Sequence, residues 1–222
     1  MGYQEIIIFI MEMLGTVAFA ASGAMVGVGR GMDIFGVCVL GVVTSVGGGM
    51  TRDIILGITP PGVFQNPIYA AVATLTSCIV FGVLYTKKEL LEGHFRETYD
   101  RAMLVMDSIG LGIFTVVGVN TGIGQGYLDN TFLLVFLGTI TGVGGGLLRD
   151  MMAGVPPYIF VRHIYACASI VGAISCVHIY RNFGAVEAMV VSSAVVVLIR
   201  YLAAHYHWNL PRLDEKKRPG GC

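Results

Sequence analysis

Leu40-Gly41-Val42-Val43-Thr44-Ser45-Val46-Gly47-Gly48-Gly49-Met50-Thr51-Arg52-Asp53 has a second version further along the chain, Leu137-Gly138-Thr139-Ile140-Thr141-Gly142-Val143-Gly144-Gly145-Gly146-Leu147-Leu148-Arg149-Asp150. The offset is 144 − 47 = 97 residues. Each version is an apolar run, three glycines and an Arg-Asp pair. In an apolar chain this predicts a membrane helix broken at mid-depth, because three consecutive glycines each cost about 1 kcal/mol against alanine in a helix. Lipid cannot satisfy the backbone groups that such a break frees, so the break has to be buried in protein or line a wet cavity. Two breaks at matching places in two half-chains point to a transport site.

Composition puts the chain in a membrane. Of its 222 residues, 55% are hydrophobic and 13% charged, and the mean hydropathy is +0.76, whereas an average soluble domain carries about 25% charge. The formal net charge is zero, which favours neither nucleic acid nor an acidic partner. Cys38, Cys78, Cys167, Cys176 and Cys222 form no CxxC pair, and the first four, which lie in apolar segments, read as small packing residues. Metal-ligand spacing is absent, no cofactor is implied, and the first apolar run lacks the basic flank of a cleaved leader.

A span needs about 20 apolar residues, and seven segments qualify: Glu5–Val28, Asp33–Gly57, Asn66–Tyr85, Arg101–Ile123, Asp129–Gly154, His163–Tyr180 and Gly184–Ala204. The second and fifth carry the glycine triplets. Pro60-Pro61-Gly62 and Pro156-Pro157 end those two segments, since proline cannot continue a helix interior. The internal match extends beyond the glycines. Glu12-Met13-Leu14-Gly15, Phe19 and Gly23 correspond to Asp107-Ser108-Ile109-Gly110, Phe114 and Gly118, and Ile68-Tyr69-Ala70 to Ile164-Tyr165-Ala166. Three spans is an odd number, so the halves run antiparallel, as an inverted repeat. The expected fold is an all-α membrane protein of three plus three spans with one extra helix. Residues 1–206 form a single domain (repeat one 5–85, repeat two 101–180, extra helix 184–204), followed by a basic tail, 207–222. Arg30, Lys87, Lys88 and Arg96, with the tail's Arg212, Lys216, Lys217 and Arg218, place the tail in the cytoplasm and the N-terminus outside.

Charges inside spans are costly and usually functional. Glu12, Arg52, Asp53, Asp107, Arg149 and Asp150 are the candidates. Neighbours at i, i+1 do not face each other on a helix, so the antiparallel repeat suggests Arg52 with Asp150 and Arg149 with Asp53. Those pairs would either lock the halves together or place an arginine on a permeation path. Gly47, Gly48, Gly49, Gly144, Gly145 and Gly146 either open the backbone to a cavity or allow close helix crossing. Thr44, Ser45 and Thr141 either offer hydroxyls to a solute or bond back to their own helices.

On these residues the sequence resembles the trimeric intracellular cation (TRIC) channel family, in its prokaryotic branch, which is also described as a glycine-transporter-type domain family. The resemblance rests on both Gly-Gly-Gly and Arg-Asp copies and on the three-plus-three-plus-one layout. It implies a homotrimer in the lipid of a prokaryotic plasma membrane, with a pore for monovalent cations (potassium, sodium) in each protomer between the second and fifth spans. The rival readings are an alternating-access carrier of a small amino acid such as glycine and, outside transport, a membrane enzyme or scaffold; no nucleophile–base pair supports an enzyme. Positive charge at the centre, from arginines and half-helix N-termini, would by itself favour anions. Cation passage therefore requires Asp53 and Asp150 to neutralise the arginines.

Overall fold

The computed structural model describes residues 2–87, 96–161, 164–206 and 208; Lys88, His163, His207 and the basic tail lie outside them. The described residues form helices α1 (Tyr3–Gly29), α2 (Ile34–Ile55), α3 (Gly62–Gln65), α4 (Ile68–Thr86), α5 (Arg96–Gly124), α6 (Thr131–Met152), α7 (Tyr158–Val161), α8 (Ala166–Phe183) and α9 (Ala185–His205). Six of them, α1, α2, α4, α5, α6 and α9, are long and apolar enough to cross a membrane. α8 spans 18 residues and ends in His178, Tyr180, Arg181 and Asn182, a polar turn that keeps it outside that set. α5 begins at Arg96, five residues ahead of the expected Arg101 (101 − 96). Its polar first turn is held by a Glu97–Arg101 ion pair at 2.6 Å and by the Tyr99 hydroxyl, which donates to the Met25 carbonyl.

The glycine triplets do not break their helices. α2 runs through Gly47–Gly49 and α6 through Gly144–Gly146 without interruption, against the expectation from sequence. The reason lies in what touches them. A Cβ on Gly48 would overlap the Thr141 carbonyl oxygen, and a Cβ on Gly145 would overlap that of Thr44. A Cβ on Gly144 would lie 3.1 Å from the Cα of Gly48. The helices thus cross backbone to backbone. An unbroken helix keeps its hydrogen bonds internal, which a lipid-embedded segment needs. Missing side chains allow an approach that dispersion and Cα–H···O contacts then stabilise.

The contacts pair Thr44 with Gly145 and Gly48 with Thr141: residue numbers rise on one helix as they fall on the other. An antiparallel two-fold arrangement follows. α1 packs on α5 and α2 on α6 across this axis, α4 packs on α1 and α2, and α8 packs on α5 and α6. The helix ends repeat too. After α2, Gly57 (φ 70°) turns the chain and Ile58 N–H donates to Asp53 O at 2.9 Å; after α6, Gly154 (φ 64°) turns it and Val155 N–H donates to Asp150 O at 3.0 Å. Positive φ suits glycine there, having no Cβ to clash. α9 breaks the symmetry. It packs chiefly against α5 and α8 of the second repeat and touches the first only lightly, at α1.

Gly48→Ala and Gly145→Ala are expected to lower thermal stability in detergent, each by about 1–3 kcal/mol, although alanine is the better helix former. Gly49→Ala should be neutral or stabilising, because its Cβ would meet only Arg52 Nη2, at 3.8 Å. Equal effects at positions 48 and 49 would count against the crossing contact.

Candidate functional site

Each repeat folds a carboxylate, an arginine, an aspartate and a tyrosine together. In repeat one these are Glu12 on α1, Arg52 and Asp53 on α2, and Tyr69 on α4. In repeat two they are Asp107 on α5, Arg149 and Asp150 on α6, and Tyr165 just before α8. The expected cross-repeat pairs do not form. Arg52 donates from Nε and Nη2 to Asp53 Oδ1, at 2.9 and 2.8 Å, and Arg149 Nε donates to Asp150 Oδ1 at 2.8 Å. The i, i+1 rule concerns short side chains standing on a helix wall. Arginine is long enough to fold back over its neighbour, and the aspartate is held in place from the other side. Asp53 Oδ2 accepts the Gly62 N–H at 2.8 Å, and Asp150 Oδ2 accepts the Tyr158 N–H at 2.8 Å. Each aspartate therefore ties an intramembrane arginine to the first backbone N–H of the short helix, α3 or α7, that follows the proline pair.

The two copies differ in access. Repeat one surrounds a cavity of about 300 Å3 lined by Glu12, Thr16, Ser45, Gly49, Arg52, Asp53, Gln65, Asn66 and Tyr69, with Phe114 and Val117 of α5 behind. The Tyr69 hydroxyl donates to Glu12 Oε2. The Arg52 side chain is 13% exposed. Repeat two is sealed: Asp107, Arg149, Asp150 and Tyr165 are all buried. Arg149 Nη1 donates to Asp107 Oδ1 at 2.6 Å and to Ser22 Oγ at 2.5 Å, and its guanidinium lies 5.1 Å from the Tyr158 ring centre. α9 supplies Arg200, whose Nη2 stands 3.6 Å from Asp107 Oδ2 and whose guanidinium covers the Tyr165 ring at 4.7 Å.

Ser45, Gly49, Arg52 and Asp53, named from the sequence, thus reach the cavity, whereas Arg149 and Asp150 reach its sealed counterpart. Gly47 faces Leu148, and Gly48, Gly144 and Gly145 make the crossing, while Gly146 abuts the Tyr165 hydroxyl. Thr44 and Thr141 are buried and bond back to Leu40 O and Leu137 O, each at 2.6 Å. Ser45 bonds back to Gly41 O at 2.9 Å and across to Thr16 O at 3.1 Å. For these three residues the back-bonded alternative is the one the structure shows. Sequence reasoning missed Arg200, although a single arginine inside an apolar run, Val195-Val196-Val197-Leu198-Ile199-Arg200-Tyr201, was a visible signal. Tyr69 and Tyr165 were visible as a repeat match but carried no assigned role. Among the described residues no His/Cys/Asp/Glu group could hold a metal.

This doubled, helix-embedded charge site in an inverted repeat is the mark of a membrane-transport family. A family model described as glycine transporter matches residues 9–85 and 104–181, one copy per repeat, and the chain belongs to that family, the one that contains the TRIC channels. Inner membrane protein YadS of Escherichia coli (strain K12) is 36% identical over 96% of this chain and 100% of its own. Among solved structures, a TRIC cation channel is 34% identical with a TM-score of 0.79, covering 93% of this chain and 97% of that one. The trimeric intracellular cation channel orthologue of Rhodobacter sphaeroides is 29% identical with a TM-score of 0.80, covering 90% and 98%.

Removing a carboxylate should cost very different amounts in the two copies. Asp107→Ala takes away the carboxylate beside Arg200 and one of three side-chain partners of Arg149, leaving buried positive charge uncompensated, and is expected to destabilise by roughly 3–5 kcal/mol. Glu12→Ala, beside a cavity that water can enter, should cost about 1 kcal/mol. Denaturant unfolding in micelles reads both, and similar losses would mean the first copy is as closed as the second.

Proposed function

We propose that the chain is a channel for monovalent cations, potassium and sodium, working as a homotrimer with one path in each protomer. The observation that carries this reading is the charge of the open cavity: two carboxylates, Glu12 and Asp53, against one guanidinium, Arg52. The surplus of negative charge in a low-dielectric wall concentrates cations, and this answers the objection that central arginines favour anions. Kinship with TRIC cation channels supports the same reading.

In this account Arg52 does not bind the ion. It holds Asp53 in place and halves the cavity's negative charge, so that a monovalent ion is held weakly enough to leave. Thr16, Asn66, Gln65 and the Tyr69 hydroxyl supply neutral oxygens. α2 and α6 touch at Gly48 and Gly145, so the path passes beside the crossing, along α1 and α5, toward the Asp107–Arg149 cluster. α8 serves as the seventh span, with the N-terminus outside and the tail in the cytoplasm of a prokaryotic cell whose membrane lipid surrounds the trimer.

A second reading is an alternating-access glycine carrier. It is favoured by the family's description and by one copy of the site bordering a cavity while the other is buried. Recording purified protein in planar bilayers under a KCl gradient separates the two: discrete currents reversing near the potassium potential are expected. Reversal near the chloride potential, or silence together with glycine uptake into liposomes, would overturn the channel. Within a conducting protein, Glu12→Gln should lower unitary potassium conductance about twofold or more, by removing the uncompensated charge.

A further inference from the structure

The inverted repeat predicts two equivalent mouths, and among the described residues one copy borders a cavity while the other is buried. Residue by residue the charged positions match: Glu12 with Asp107, Arg52 with Arg149, Asp53 with Asp150, Tyr69 with Tyr165. The walls match as well, Val46 and Gly49 of the cavity corresponding to Val143 and Gly146. Some wall positions differ, Thr16 and Ser45 standing opposite Leu111 and Gly142, and among the described residues the difference that brings a charge is a side chain from outside the repeat. Where repeat one has open space, repeat two has Arg200 of α9, laid on the Tyr165 ring and directed at Asp107. A Cβ on Gly49 would have room, whereas one on Gly146 would lie 2.7 Å from the Tyr165 hydroxyl.

Arg200 also changes the charge. Among the described residues, the open copy has two carboxylates and one guanidinium, and the sealed copy has two of each: Asp107 and Asp150, Arg149 and Arg200. The two arginines are held unequally. Arg149 makes hydrogen bonds to Asp150, Asp107 and Ser22. Among the described residues Arg200 has only the 3.6 Å approach to Asp107 and the ring face, and that distance is too long for a hydrogen bond. Its Nε and Nη1 are buried without a hydrogen-bond partner among the described residues, whereas Arg149 leaves only Nη2 so. A buried donor left unpaired favours any state in which it finds a partner. Arg149 is therefore a fixture, and Arg200 is the group ready to leave.

We infer that Arg200 is the seal of the second mouth: α9 inserts it as a counter-charge that excludes cations from the Asp107 site, and its withdrawal turns that site into the equal of the Glu12 site. The role as an ion gate rests on the channel reading; the seal itself does not. Access to the two mouths tests the seal without any current. In protein whose five cysteines have been replaced, Val46→Cys and Val143→Cys are reacted in turn with a positively charged methanethiosulfonate. Val46→Cys should label whichever residue stands at 200. Val143→Cys should be protected with Arg200 or Arg200→Lys in place. With Arg200→Met it should label about tenfold faster or more, in proportion to the open fraction.

Tyr165→Leu, which removes the ring and keeps every charge, should also speed labelling, and it carries the test should Arg200→Met not yield trimers. Fast labelling of Val143→Cys with Arg200 in place would overturn the seal, as would unchanged protection in trimers of both Arg200→Met and Tyr165→Leu. In bilayers Arg200→Met should raise open probability. Labelling as expected in a protein that passes no ions would retain the seal and remove the channel.

Discussion

Everything in this chain hangs on two helices meeting with no side chains between them. At Gly48 and Gly145 the backbone of α2 touches that of α6, and the carbonyls of Thr141 and Thr44 occupy the space where a Cβ would stand. Lipid supplies no hydrophobic force to press helices together, so the attraction comes from close packing over a surface that only glycine leaves open. The crossing places the pseudo-two-fold axis at the middle of the fold. It sets the two Arg-Asp pairs, three residues beyond each triplet, on opposite sides of that axis. One contact therefore decides both the packing of the repeats and the position of the charges.

The charges could not stand in a membrane without their local partners. Each aspartate is shared between an arginine on its own helix and the leading N–H of the short helix beyond the proline pair. The proline pair is thus more than a stop signal. It returns the chain so that a backbone donor reaches the carboxylate. A carboxylate so held cannot swing across the interface, which is why the cross-repeat ion pairs do not form. The halves are joined by glycine packing, and by the Arg149 bond to Ser22 that passes from α6 to α1.

Sequence reasoning reached the repeat, the membrane class, the crossing pair of helices and the residues that carry charge, because each left a pattern in one dimension: an offset of 97, an apolar run, a charge inside it. It misjudged what three glycines do, because propensity measured in water penalises glycine for freedom that a packed helix in lipid does not have. In lipid the unmet hydrogen bonds of a break outweigh about 1 kcal/mol per residue. It named Thr44 and Thr141 as near the path, yet both hydroxyls are consumed by their own helices. Glu12 was visible as a charge, but its companions Tyr69, Asn66 and Gln65 belong to the turn after α2 and the start of α4. No spacing rule brings them to α1; only the packing of α4 on α1 and α2 does.

Arg200 escaped for a different reason. A repeat directs the eye to what occurs twice, and this residue occurs once. Two mouths related by symmetry would have the same affinity and the same resting access, and a path with identical ends gives a stimulus nothing to act on selectively. An element outside the repeat is the cheapest way to make the ends differ. α9 does so with one guanidinium, which balances the charge of one site and fills its space, and leaves the other with a net carboxylate and a cavity of about 300 Å3. The internal symmetry builds the scaffold, and the departure from it distinguishes the two charge sites.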